Sequence, residues 1–155
     1  MAKRKSTKED PCPVARALDV IGDRWSLFIV RDAFDGMRRF GEFQRSLGVA
    51  RNILSDRLHK LVENGILEVV PASDGTSYQE YVLTPRGASL FPIVVALRQW
   101  GEDQLFVDGE PHSTLVERAS GAVVAKMDPL GSNGLALTPA DTLVKKLPAG
   151  ADAGG

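Results

Sequence analysis

Six cationic side chains fall within residues 38–60, against two carboxylates, although the whole chain has a formal net charge of only −1. The cations are Arg38, Arg39, Arg45, Arg51, Arg57 and Lys60. Lysine and arginine hold the phosphates of nucleic acids, so a basic segment in a nearly neutral protein favours a nucleic-acid-binding face. Charged residues also cover the wet side of ordinary helices, and the order of the surrounding elements must therefore decide between the two interpretations.

The polar residues that begin at Arg51 are of the types that read DNA bases. Arginine pairs with guanine and asparagine with adenine in the major groove, so Arg51 and Asn52 are the predicted base readers. Flanking cations are expected to hold phosphates, and Arg38 and Arg39 lie at a predicted helix start where backbone amides point outward. The full predicted DNA-binding set is Arg38, Arg39, Arg51, Asn52, Ser55, Arg57, His59 and Lys60.

The chain has one cysteine, Cys12, which stands between two prolines. If Asp10 caps a helix that begins at Pro11, the helix dipole and Arg16 favour a thiolate at Cys12, whereas the carboxylates of Glu9 and Asp10 oppose it. Without a second cysteine, a sensing thiol can form only a bridge to another subunit, a mixed disulfide or an adduct. Alternatively, Cys12 packs as a small apolar residue beside the dimer interface. The sequence leaves open whether Cys12 is a sensor or a structural residue.

No pattern of metal ligands or catalytic groups accompanies this thiol. The two histidines, His59 and His112, are far apart and lack the spacing of a zinc site, so neither a metal nor another cofactor is predicted. A thiol enzyme would need a base beside Cys12, and neither histidine has a sequence context that supplies one. We therefore expect no enzymatic activity.

Four short helices can be placed before residue 65 from the spacing of apolar residues. The apolar face of the first consists of Val14, Ala17, Leu18 and Ile21. Asp23 can cap the second helix. The third ends at Gly48, and the fourth runs from Arg51 to Asn64 with Leu54, Leu58, Leu61 and Val62 on its inner side. Two helices joined by about four residues that include a glycine form a helix-turn-helix.

Two strands with a polar turn between them are predicted after Gly65. "ILEVV" and "YQEYVL" have strand composition, and "PASDGTS" supplies the turn of a hairpin, or wing. The predicted wing residues are Asp74, Gly75, Thr76 and Ser77. Thr84 and Pro85 then begin one long apolar helix that Pro92 should kink. Its apolar face is broader than a small domain needs, which favours packing against a second subunit.

The composition changes to Gly, Pro, Ala and Asp beyond residue 107. "TLVERASGAVVAKM" is predicted to form two strands around Ser120 and Gly121, with a frayed terminus after them. The predicted organisation is a flexible arm over residues 1–10, a winged helix-turn-helix domain over 11–106 and a β-rich extension over 107–155. The fold class is mainly α with a small β hairpin, that is, α+β.

Several motifs in this order closely resemble the HxlR family of bacterial winged helix-turn-helix transcription regulators. They are Cys12-Pro13, "GDRW" at 22–25, "RRFGEF" at 38–43, "LSDRLHKL" at 54–61 and "LTPRG" at 83–87. The resemblance covers residues 11–106. It thins in the extension, where "LVERASGAVVAKMDPLGSNG" has none of the Cys and His ligands of the zinc-ribbon-like tails found in some longer relatives. A metal-free hairpin is expected there instead, with a disordered tail as the alternative.

The resemblance implies a homodimer joined through the first and last helices of the domain, with one recognition helix for each half of a two-fold symmetric operator. The interface residues would be Val14, Leu18, Leu90, Val94, Leu97 and Trp100. Several members of the family resemble thiol sensors of oxidants or electrophiles, and the cysteine that they use matches Cys12.

The sequence as a whole therefore predicts a dimeric, sequence-specific regulator with double-stranded DNA, a second copy of itself and an oxidant or small molecule as partners. We expect a cytoplasmic protein without a membrane segment, because no apolar run approaches bilayer-spanning length. Two alternatives remain open. One is a winged helix that binds a protein, and the other is a regulator gated by an apolar ligand in which Cys12 is structural.

Overall fold

The computed structural model describes residues 8–148 and divides the chain into two compact units, the first ending at Val94 and the second beginning at Val95. Most of the predicted arm (residues 1–7) and the end of the extension (residues 149–155) lie outside the described residues. The helices are α1 (Pro13–Ile21), α2 (Arg24–Phe34), α3 (Phe40–Leu47), α4 (Arg51–Glu63), α5 (Pro85–Ala88) and α6 (Phe91–Leu105); the strands are β1 (Leu67–Pro71) and β2 (Gln79–Leu83).

The first unit is built on one apolar core between α2, α3, α4 and the start of β1. Its buried members are Ile29, Val30, Phe43, Val49, Leu54, Leu58, Leu61, Ile66 and Leu67. Leucines spaced three and four residues apart put one face of α4 against α2, as the sequence predicted. Gly48 ends α3 in the left-handed region, at φ 59° and ψ 24°, and this conformation lets α4 begin only three residues later.

The wing is an antiparallel pair in which Val69 stands opposite Tyr81. The amide of Tyr81 also donates to the carbonyl of Arg38 at 2.7 Å, so the outer edge of β2 is bonded to the turn that precedes α3. At the base of the hairpin, just after β2, Thr84 caps α5 by accepting from the amide of Gly87 at 3.0 Å. The wing is therefore tied to the helical part of the unit at the middle of β2 and at its end.

The single long helix predicted after Thr84 is wrong, because the chain forms α5, a break at residues 89–90, and then α6. Pro92 is the second residue of α6 and not a kink within a helix. Proline lacks an amide hydrogen, and the first turn of a helix is where no intrahelical partner is needed for that hydrogen. The proline thus helps to start α6 where it was expected to bend a longer helix.

The second unit contains most of α6 and the extension, and the predicted β-rich extension is not seen. Among the described residues beyond 107 there are only two isolated bridges, Val116 with Val123 and Leu130 with Ala136, and a 3-10 turn at Pro139–Asp141. Both valines are largely exposed. Strands are stabilised by packing one face, so pairing without a face to bury does not extend past a single bridge.

Candidate nucleic-acid interface

The outer face of α4 is polar and open to solvent. Its exposed residues include Arg51, Asn52, Ser55, Asp56, His59 and Lys60. Leu54, Leu58 and Leu61 on the opposite face are at most 1% exposed, and they fix the rotation of the helix about its axis. The structure therefore gathers five of the eight predicted DNA-binding residues on one surface, beginning at the first residue of the helix.

Arg57 faces the interior edge of this surface and is held by two carboxylates. Its Nε donates to Asp23 at 3.0 Å, and its Nη1 donates to Asp56 at 2.5 Å. Asp23 is the N-cap of α2 and accepts from both the amide and the hydroxyl of Ser26. Partial burial raises the pKa of Asp23, but the bonds from Ser26 and the charge of Arg57 outweigh it and leave the pKa below its ordinary value. Arg57 thus fastens α4 to α2.

Lys60 lies one turn beyond Asp56 on α4, and its Nζ is 3.2 Å from that carboxylate. The hydrogen bond from Lys60 is the main cause that lowers the pKa of Asp56. Both side chains are about half exposed, so this pair is weak and Lys60 can exchange it for another anion at little cost.

The amides of Arg38 and Arg39 do not point outward to a free site, which corrects the prediction for the start of α3. Both donate to one oxygen of Glu42, at 2.8 and 3.0 Å. These two bonds are the main cause that lowers the pKa of Glu42. The carboxylate occupies the position at the helix start that an anion would take.

The side chains of Arg38 and Arg39 reach across to the wing. Arg38 Nη1 donates to Glu80 at 3.3 Å, and Arg39 Nη2 lies 3.9 Å from the other oxygen of the same carboxylate. Glu80 is only 2% exposed and also accepts from the amide and hydroxyl of Ser73, at 2.9 and 3.0 Å. Hydrogen bonding from the Ser73 amide is the main cause that lowers the pKa of Glu80. This buried carboxylate links the wing to the turn before α3.

The wing tip is ordered by Asp74. This carboxylate accepts from the amide and the hydroxyl of Thr76, at 3.0 and 2.7 Å, and it also pairs with Arg39. The two bonds from Thr76, followed by the pair with Arg39, lower the pKa of Asp74 to about 2. The guanidinium of Arg39 lies over the ring of Tyr78, 5.2 Å from its centroid. Gly75 supplies the positive φ of 76° that the turn requires, and Ser77 is exposed beside it.

An open cleft of about 1040 Å³ lies between the start of α3, Arg51 and the wing. Four arginines line it, against two glutamates: Arg38, Arg39, Arg45, Arg51, Glu42 and Glu80. Arg45 was not among the predicted contact residues. Its signal was its position on the polar side of "FGEFQRSLG", opposite Phe40, Phe43 and Leu47, and it becomes informative only once the wing stands across from it.

Cys12 is exposed and lies one residue before α1, as its N-cap. The helix begins at Pro13, two residues later than Pro11, so the expected place of Cys12 within the first turn is wrong and Cys12 is the N-cap. The amide of Cys12 donates to Asp10 Oδ1 at 2.8 Å, and Arg16 Nε donates to the carbonyl of Asp10 at 2.6 Å. Arg16 is therefore bound to the backbone at Asp10 and does not serve as a partner of the thiol.

The predicted interface residues fall into two groups. Leu90 and Val94 pack against the core of the first unit. Val14 and Leu18 leave the outer face of α1 apolar and exposed, and in the second unit Leu97 and Trp100 do the same for α6, with Trp100 60% exposed. Each exposed group is an apolar helix face that no residue of its own unit covers within the described range 8–148.

The family model for HxlR-like helix-turn-helix proteins matches residues 20–108, which is more than half of the chain. The chain belongs to the HxlR family. This agrees with the fold of the first unit, whose helix-turn-helix and two-stranded wing occupy the matched segment.

Curated relatives of this HxlR protein carry the same helix-turn-helix name. An uncharacterized HTH-type transcriptional regulator of Mycobacterium bovis is 49% identical over 92 residues, which are 59% of this chain and 58% of that relative. The chain thus aligns with less than two thirds of that relative's length. The uncharacterized HTH-type transcriptional regulator YybR of Bacillus subtilis is 33% identical over 105 residues, which are 66% of this chain and 84% of YybR.

Solved structures resemble this HxlR protein over different extents. PA1607, a candidate transcription factor, superposes with a TM-score of 0.86 and 54% identity over 92% of this chain and 99% of its own. The redox regulator HypR in its reduced form has a TM-score of 0.56 and is 34% identical, over 61% of this chain and 94% of HypR. The regulator YodB from B. subtilis, also in its reduced form, has a TM-score of 0.53 and is 26% identical, over 60% of this chain and 93% of YodB. PA1607 therefore shares the extension as well.

Within residues 8–148 of this HxlR protein, no group of three His, Cys, Asp or Glu side chains is arranged to hold a metal ion. None of the helices in the same range has the length and the hydropathy that crossing a bilayer demands.

Proposed function

We propose that this HxlR protein is a transcription regulator that binds a two-fold symmetric DNA site as a homodimer, with α4 in the major groove. The observation that carries the proposal is the outer face of α4, where Asn52, Ser55 and His59 are exposed and have no role in the core. Polar residues at the N-terminal end of the second helix of a helix-turn-helix are those that reach base edges. Curated relatives with HTH-type names support the same conclusion.

Selection of bound duplexes from a random library tests DNA recognition directly. We expect an enriched site with two-fold symmetry, and we expect Asn52→Ala to lose about 1–3 kcal/mol of preference for it over a scrambled duplex. The fold should be unaffected, because Asn52 is exposed. Glu63→Gln, an exposed change at the last position of α4, serves as the control and should bind as the wild type does. Recovery of no enriched duplex would refute the proposal.

The homodimer is supported by the exposed apolar faces of α1 and α6. Single monomers rarely leave large apolar side chains such as Leu97 and Trp100 uncovered along one helix. Leu97→Asp should convert a dimer to a monomer in sedimentation equilibrium. Val69→Asp places the same charge on an exposed apolar residue of the wing and should leave the mass unchanged. A dimer that persists in Leu97→Asp contradicts this assignment.

A response to oxidants through Cys12 is the finer part of the proposal. It is supported by the exposure of the thiol and by the redox regulator HypR among the similar structures. A DNA-release assay with hydrogen peroxide or diamide should show release by the wild type and none by Cys12→Ser. A Cys12→Ser protein that still releases DNA on oxidation would rule out Cys12 as the sensor.

A further inference from the structure

Two arginines of the cleft lie beside the first turn of α3. The guanidinium of Arg51 is over the ring of Phe40, with 4.8 Å between Cζ and the ring centroid. The Nη1 of Arg45 is 3.4 Å from the point where a Cβ on Gly41 would stand. Both cations therefore border consecutive residues, Phe40 and Gly41, at the floor of the same cleft.

The other charges that line the cleft already have partners inside the protein. Arg38 and Arg39 are bound to Glu80 and Asp74, and Glu42 is bound to two backbone amides. No carboxylate of residues 8–148 stands within 4.0 Å of the guanidinium of Arg45 or Arg51. The amides that bond to Glu42 are neutral and leave its negative charge in place, and the charge of Arg45 acts on that carboxylate. Arg45 and Arg51 together outweigh Glu42, so the unbalanced charge of the cleft is positive.

We propose that this cleft seats a phosphate group of the DNA backbone, which Arg45 and Arg51 hold between α3 and the wing. The proposal rests on the DNA-binding function proposed above and adds a site to it. A guanidinium presents paired N–H donors that match the oxygens of a phosphate, and the cleft is open enough to admit a strand that passes along the surface. The partnered arginines have a different task, which is to hold the wing at a fixed distance from α3.

This assignment changes the role predicted for Arg51. With its guanidinium packed on Phe40 and turned to the cleft, Arg51 contacts the backbone, and reading of bases falls to Asn52 and Ser55 on the exposed face of α4. A phosphate contact and a base contact differ in a measurable way. The first weakens binding to every sequence by the same factor and lowers the salt dependence, whereas the second affects only the specific site.

The test measures the affinity of the full chain for its selected duplex and for a scrambled duplex at about 50–300 mM salt, where the number of phosphate contacts sets the salt dependence of binding. We expect Arg45→Gln and Arg51→Gln each to weaken binding to both duplexes by the same factor, roughly three- to tenfold at low salt. Each change should also reduce the slope of log K against log salt by about one. Arg45→Lys should restore the slope, since it keeps the charge.

Arg86→Gln is the matched control, because Arg86 is an exposed arginine of α5 that does not line the cleft. It should leave both affinities and the slope unchanged. Arg45→Gln with wild-type affinity and slope would overturn the phosphate seat while the DNA-binding function stands. Loss confined to the selected duplex would overturn it as well, since that result marks a base contact. Wild-type protein that binds neither duplex would instead refute the proposed function.

Discussion

The two units of the chain keep their shape by different means. The first closes around nine buried apolar residues, among them Phe43 and Leu58, which are fully buried. In the second unit, Val95 is the one buried residue within the described range 95–148. The polar contacts of the second unit include those of Gln99, which bonds to two backbone groups of the extension, and the pair of Lys126 with Asp103.

Ion pairs and hydrogen bonds have different roles in the two units. In the first unit they orient helices that the core already holds, as Arg57 does for α4 and α2. In the second unit they act without such a core, since only Val95 is buried among residues 95–148, and each exposed one is worth about 1 kcal/mol or less. A segment held in this way is ordered but weakly stabilised by its own contacts.

The largest test of this comparison is removal of a core side chain. Leu58→Ala should lower the free energy of unfolding of the first unit by about 2–5 kcal/mol, because it leaves a cavity between α4 and α2. Urea denaturation measures it, with the fluorescence of Trp25 as the signal that belongs to the first unit. A loss below about 1 kcal/mol would contradict the conclusion that the buried apolar residues hold the first unit together.

A smaller effect is expected at Asp23, where a cap and an ion pair meet. Asp23→Ala should cost about 0.5–2 kcal/mol at neutral pH, because two bonds to Ser26 and one to Arg57 are lost. Since the folded pKa of Asp23 lies below its unfolded value, its contribution is present above pH 3.8 and is lost as the pH falls through the folded pKa.

The matched comparison for Asp23 is Asp35→Ala, at the exposed C-cap of α2. Asp35→Ala should leave the unfolding midpoint nearly unchanged both at neutral pH and at about pH 2. A difference between wild type and Asp23→Ala that persists undiminished at pH 2 would contradict the assigned role of the ionised carboxylate.

Next in size is Gln99→Ala in the second unit. The side-chain Oε1 of Gln99 accepts from the backbone amide of Met127 at 2.8 Å, and its Nε2 donates to the carbonyl of Ala125 at 3.0 Å. Loss of both bonds should lower the free energy of local opening in this part of the extension by about 1 kcal/mol. Hydrogen exchange at the backbone amide of Met127 should then become several-fold faster. The unfolding midpoint of the first unit should stay the same. A shift of that midpoint would break the comparison.

The smallest effect is expected from Lys126→Ala. Its ion pair with Asp103 is 2.9 Å long, but both side chains are about half exposed or more, so water and salt screen the attraction. Hydrogen exchange near Asp103 should change by less than about twofold. A change as large as that of Gln99→Ala would show that exposed ion pairs hold the second unit.

Local patterns predicted the helices and the wing of the first unit well. Leucines at 54, 58 and 61 placed the inner face of α4, and Asp23 was expected as a cap and is one. The partners of the arginines could not be predicted, because Arg57 meets Asp23 across 34 residues and Arg38 meets Glu80 across 42. Such contacts exist only after the fold brings distant segments together.

The extension was mispredicted for a related reason. The short apolar runs on either side of Ser120 and Gly121 indicate strands, yet strands need a surface to cover, and the described extension offers none within its own residues. The break between α5 and α6 likewise depends on the surrounding structure, since the same proline can bend a helix or begin one.

The internal pairing of Arg38, Arg39 and Arg57 has a consequence for how quickly such a protein could find its target. Nonspecific attraction to DNA grows with every cation that is free to displace a counterion, and a genome offers about 10⁶–10⁹ wrong positions. Arginines that form ion pairs with carboxylates of the protein do not bind DNA phosphates at those positions, so the residence time at each wrong position is short. Under the DNA-binding function proposed above, the chain would combine a basic surface with rapid departure from sites whose bases do not match.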